Sequence, residues 1–137
     1  MPKRRRGTRT ATPRPVPGRH VGFERLVEEA LAGIPMPFRA AFDEVAVVIA
    51  DDLTPEQRRE NGLGPDDDLY GLYEGVPRTE YGADWVTMPN RITLFRLPLE
   101  EDFPNPRDLE DEVRITVIHE LAHHLGIDDD RLDELGV

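Results

Sequence analysis

The chain holds 137 residues, with 28 acidic against 17 basic, a net charge of −11 and no cysteine. Its length suits one domain with one modest core. The lack of cysteine excludes disulfides and thiolate metal ligands, and fits a reducing, cytoplasmic setting. The longest apolar run, Val45 to Ala50, is far too short to span a bilayer, and the basic start lacks the apolar segment of a secretory signal.

Residues 1 to 20 carry seven Lys or Arg and no acid; the other ten basic residues face all 28 acids, a net charge of −18 on the remainder. This first stretch is Pro-rich and has no apolar period, so it is expected to be a disordered basic arm. It could touch nucleic acid weakly, or serve as a solubilising tail, or fold back on its own acidic body. That body would itself repel phosphates and is a poor nucleic-acid surface.

From residue 21 the pattern becomes that of a folded domain. Phe23, Leu26, Val27, Ala30, Leu31 and Ile34 recur at helical spacing, and Pro35 and Pro37 close the element. Val45 to Ile49 is β-branched and continuous, which predicts a strand covered on both faces. Thr54-Pro55-Glu56-Gln57 reads as a capping box with Pro at the first helical position, opening a short helix that stops near Asn61-Gly62. Asp66 to Asp68 fall in a loop, Leu69 to Gly75 in a second strand. Arg91 to Arg96 alternates polar and apolar, predicting a third strand with one face to water and an edge open to a peptide between Ile92 and Phe95.

Leu109 to Ile118 predicts a largely buried helix, with Asp108 as N-cap, one apolar row of Val113, Val117 and Leu121, and another of Ile115, Ile118, Ala122 and Leu125. It runs on into His119-Glu120-Leu121-Ala122-His123. Residues four apart share a helix face, so His119 and His123 can present two imidazoles to one metal ion. Glu120 stands beside them, placed to take a proton from the attacking water, which is the arrangement of zinc-dependent hydrolases. Gly126 ends the helix. Asp129 occupies the last-ligand position of H-E-x-x-H-x-x-G-x-x-H/D. Asp128 and Asp130 are rivals for that place, one of the three caps a closing helix from Arg131 to Leu135, and Glu134 is a more distant candidate. With nitrogen and oxygen donors only, one zinc ion per chain is expected.

Three stretches taken together resemble a family of very small bacterial zincin-like metallopeptidases, sometimes called minimal metalloproteases. They are Tyr70-Gly71-Leu72-Tyr73-Glu74-Gly75-Val76-Pro77-Arg78-Thr79-Glu80, Arg91 through Phe95 to Glu100, and Val113 through His119-Glu120 to Asp128-Asp129-Asp130-Arg131-Leu132. The resemblance covers roughly residues 22 to 137 and leaves the arm outside. It implies a compact α+β fold in which a small mixed sheet packs on an active-site helix, here joined by an N-terminal helix. It also implies a metal site of His119, His123 and Asp129 with Glu120 as catalytic base, and a peptide or protein substrate. Two departures from the better-known metzincins matter. The third ligand is Asp rather than His, which should weaken the ion as a Lewis acid and give modest activity. Met1, Met36 and Met88 all precede the site, so no Met-turn lies beneath it.

Tyr70, Tyr73, Tyr81 and His124 are candidates to stabilise an oxyanion, although packing is the commoner role of such residues, as it is of Trp85. Two other functions fit part of the pattern. Small rRNA-maturation ribonucleases share a similar helix, but carry Gly where this chain has Glu120 and use a third His. A non-catalytic module stapled by zinc would usually close all four positions with protein ligands.

Overall fold

The computed structural model describes residues 5–8, 21–75 and 90–135. The first helix, α1 (Val21–Ala32), turns Phe23, Val27 and Ala30 inward and lies against a long helix, α4 (Pro106–Leu125). A 3-10 helix (Phe38–Asp43) buries Phe38 and Ala41 and delivers the chain to β2 (Val45–Ala50). The short helix α2 (Pro55–Glu60) opens on the expected capping box: Gln57 N donates to Thr54 Oγ1, and Thr54 N to Gln57 Oε1. It ends at Asn61, followed by Gly62 at φ 68°, a value that favours glycine.

Two strands follow with one residue between them, β3 (Asp67–Leu69) and β4 (Gly71–Glu74). The expected loop at Asp66 to Asp68 is therefore partly strand. The cause lies in the arm: the backbone of β1 (Arg5–Thr8) pairs antiparallel with β3. This pairing falls within the stretch expected to be a disordered arm; residues 1–4 and 9–20 lie outside the described residues.

The main sheet has the order β2-β5-β4, with β5 (Asn90–Phe95) parallel to β2 and antiparallel to β4. It is a small mixed sheet on helices, the α+β arrangement expected. Two strand expectations are reversed. β5 is the middle strand; Ile92, Leu94 and Phe95 are fully buried and only Arg91 is exposed, so no peptide can pair beside it. β2, expected to be covered on both faces, is an edge strand with Val48 and Ile49 exposed. A continuous β-branched run shows that a segment prefers to be extended, not which place in the sheet it takes.

The two faces of the sheet carry separate apolar clusters. The larger joins α1, α4 and the sheet through residues such as Phe23, Ile34, Ile92, Leu94, Val117 and Leu121; the smaller gathers Leu53, Leu69, Leu72 and Phe95, with Ala50 and Leu63 packed against it. A helix not foreseen, α3 (Arg96–Asp102), follows β5 directly, held at its start by buried Arg96, whose Nε and Nη2 both donate to Asp51 Oδ1 at 3.1 and 2.9 Å. Among the described residues no helix is long and apolar enough to cross a membrane.

Candidate active site

Helix α4 is capped three residues before the expected position. Asn105 is the N-cap, its Oδ1 accepting from Arg107 N at 2.9 Å and Asp108 N at 3.3 Å, with Pro106 at the first helical position. Asp108 lies in the first turn, where its charge favours the helix dipole but leaves capping to Asn105. At the other end Gly126 adopts φ 74°, ψ 24°. Ile127 N donates to Ala122 O at 2.8 Å and Gly126 N to His123 O at 3.3 Å, the paired bonds of a Schellman stop. Both ends of the helix bearing the motif are thus set by local chemistry.

Its central rows are set by β4. Thr116, Glu120 and His124 lie four residues apart on α4, and each is buried. Gly71 and Tyr73 lie two apart on β4. A two-residue strand step of about 6.6 Å nearly matches a four-residue helix step of about 6 Å, so the rows stay in register. Gly71 sits against Thr116, where a Cβ would come within 2.6 Å of Thr116 Cγ2. One step on, Tyr73 N donates to Glu120 Oε1 at 2.8 Å. The tyrosine hydroxyl then shares a 2.9 Å hydrogen bond with His124 Nδ1 and donates to Asn90 Oδ1 at 3.1 Å.

His119 and His123 occupy the neighbouring row and are half-buried, open enough to meet a ligand. The Tyr73 ring lies 5.2 Å from that of His123. Three of the four expected site residues therefore share one stretch of α4. The fourth, Asp129, opens the closing helix α5 (Asp129–Leu135) just past the Gly126 turn; its side chain lies outside the described residues. Asp128 caps α5, its Oδ1 accepting from Arg131 N at 2.9 Å. Asp130 is exposed, and Glu134 faces solvent in an ion pair with Arg131. A cavity of about 170 Å³ lined by His123, Gly126, Ile127 and Asp128 opens beside this turn.

Among the described side chains no group of three or more His, Cys, Asp or Glu could hold a metal ion. The side chain of Asp129 is not among them. Two imidazoles one turn apart beside a carboxylate-rich turn are donors that suit zinc.

The oxyanion candidates are otherwise occupied where they are described. Tyr70 donates to Asp102 Oδ2 at 2.7 Å and packs edge-on to Phe103, the Tyr73 hydroxyl serves Asn90 and His124, and His124 is fully buried. Tyr81 and Trp85 lie outside the described residues. The backbone N–H of Tyr73, the close approach at Gly71, Asn90, and Glu44, whose Oε2 lies 3.4 Å from His124 Nε2, were not foreseen. One signal was readable: a glycine inside a strand often marks a close backbone approach.

A helix presenting two imidazoles one turn apart, a buried carboxylate between them and a small mixed sheet alongside is the architecture of a helix-borne metallohydrolase. Residues 42–137 match the family model of zincin-like metallopeptidases, and the chain belongs to that family. The match spans β2 to α5. A comparison with curated proteins finds no match. The family implies a hydrolase with zinc as its cofactor and suggests peptidase activity.

Proposed function

We propose that this protein is a zinc-dependent peptidase in which His119, His123 and Asp129 hold one zinc ion per chain and Glu120 is the general base. The observation that carries this is the 2.8 Å bond from Tyr73 N to Glu120 Oε1. It orients a carboxylate that is 1 % exposed, beside two histidines that remain accessible. A solvated helix carrying His and Glu by coincidence would have no reason to bury that carboxylate against a backbone donor.

Bound at this site, zinc supplies Lewis acidity toward water and toward the scissile carbonyl. Glu120 takes the proton of the attacking water and hands it to the leaving amine. Burial keeps competing water away from the carboxylate, and the Tyr73 N–H keeps it in one orientation.

The test is Glu120→Gln, assayed on a fluorogenic peptide library together with elemental analysis. The expected result is about one zinc per chain in both proteins, and turnover lower by about 10²- to 10⁴-fold in the variant. Equal turnover would refute the role of Glu120. Cleavage of RNA but not peptide would select the ribonuclease, and bound zinc with neither activity the structural module.

A further inference from the structure

The placement of Glu120 depends on the strand that holds it, and that strand is anchored from an unexpected direction. Tyr73 meets both chemical groups of the motif: its N–H donates to Glu120 Oε1, and its ring lies against the His123 imidazole. Its hydroxyl points the other way, into the protein, to Asn90 and to His124 Nδ1. His124, with no exposed surface, continues to Glu44 through Nε2, 3.4 Å from Glu44 Oε2. Glu44 caps the end of the 3-10 helix immediately before β2. A line of polar contacts therefore runs from the edge of the 3-10 helix, through the second histidine of the His123-His124 pair, to the residue touching the proposed base and ligand.

We propose that Tyr73 is the positioning residue of the site, with His124 and Glu44 holding its hydroxyl and thereby the geometry of Glu120 and His123. This rests on the peptidase reading above. The geometry supports it in two ways. Among the described residues β4 has β5 as its neighbour on one side only, and its position over α4 depends on side-chain anchors as well as the ladder. His124 is also unlike its two neighbours in the motif: they are half-open, while it is enclosed among Tyr73 and Glu44. Its role is therefore to hold rather than to bind. Groups that orient a ligand or base from behind typically matter by about 10- to 100-fold in metal affinity or activity.

The experiment compares Tyr73→Phe, Glu44→Ala and Glu44→Gln with the wild type, each well below its unfolding midpoint. Zinc affinity is measured by competition with a chromophoric chelator, the visible spectrum is recorded after cobalt(II) loading, and kcat and KM are read on the peptide library. Tyr73→Phe keeps the ring and the backbone N–H and removes only the anchor. It is expected to fold, to bind zinc about 10-fold more weakly, to shift the cobalt bands and to lower kcat about 10-fold. Glu44→Ala should move the same readouts in the same direction by less, and Glu44→Gln, which keeps an oxygen toward His124, should restore them. Should Tyr73→Phe fail to fold, Glu44→Ala decides, because Glu44 lies at the rim with its side chain 35 % exposed. Variants that lose thermal stability but retain zinc affinity, cobalt spectrum and kcat would overturn the proposal and leave a purely structural network. A wild type that neither binds zinc nor cleaves peptide would overturn the peptidase reading itself, and this proposal with it.

Discussion

Replacing Gly71 with Ala tests the contact that brings β4 down onto α4. The added Cβ would sit 2.6 Å from Thr116 Cγ2, 3.4 Å from Thr93 O and 3.6 Å from Leu94 Cδ2. The last two are tight or ordinary contacts; the first requires movement. Thr116 is fully buried and β-branched, so its methyl has little freedom to rotate away, and the strand must lift instead. Overpacking of this kind costs about 1–3 kcal/mol. Gly71 is not among the glycines with positive φ, so alanine also narrows the unfolded ensemble and returns about 0.4–1 kcal/mol. The net expectation is a loss of about 1–2 kcal/mol, or roughly 3 to 8 °C in Tm for a domain of this size. The same lift pulls Tyr73 N away from Glu120, and a misplacement of about 1 Å can cost about 10²-fold in turnover. Urea and thermal unfolding followed by circular dichroism give the first number, and the peptide assay the second. Combining Gly71→Ala with Thr116→Ser, which removes the obstructing methyl and keeps the hydroxyl, should restore most of both. A single variant as stable as the wild type, or a double variant no better than the single, would refute the reasoning.

Asp129→Ala should abolish stoichiometric zinc, whereas Asp128→Ala should keep it and lose about 1 kcal/mol of stability with the α5 cap; elemental analysis and urea unfolding separate the two. Asn105→Ala removes the acceptor for two N–H groups at the start of α4 and should cost about 0.5–2 kcal/mol in the same unfolding assay, with zinc content unchanged. Removing zinc with a strong chelator should lower Tm, and adding zinc back at about 100 times its Kd should restore about 2.7 kcal/mol; a Tm indifferent to zinc would count against a site formed only in the native state.

The helices were legible where their signals are local. The apolar spacing of Phe23 to Ile34, the Thr54 capping box and the glycine stop at Gly126 each act within a few residues, and each stands in the structure. Helix α3 was not, because Leu97-Pro98-Leu99 carries no helical period and its start is fixed by Arg96 reaching Asp51 on a distant segment. Strand order failed for a similar reason: nothing within Val45–Ala50 or Asn90–Phe95 says which of the two has a neighbour on both sides. The motif brought His119, Glu120 and His123 to attention through spacing alone. Tyr73 and Glu44 meet His124, and Asn90 meets the Tyr73 hydroxyl, only after β4, β5 and the 3-10 helix have assembled, so no spacing could announce them.

Gly75 and Asn90, the residues on either side of positions 76–89, lie so close that a Cβ on Gly75 would fall 2.9 Å from Asn90 Cα. The close approach thus fixes the far ends of β4 and β5 against each other, and a side chain at position 75 would part the two strands just beyond the residue that holds Glu120.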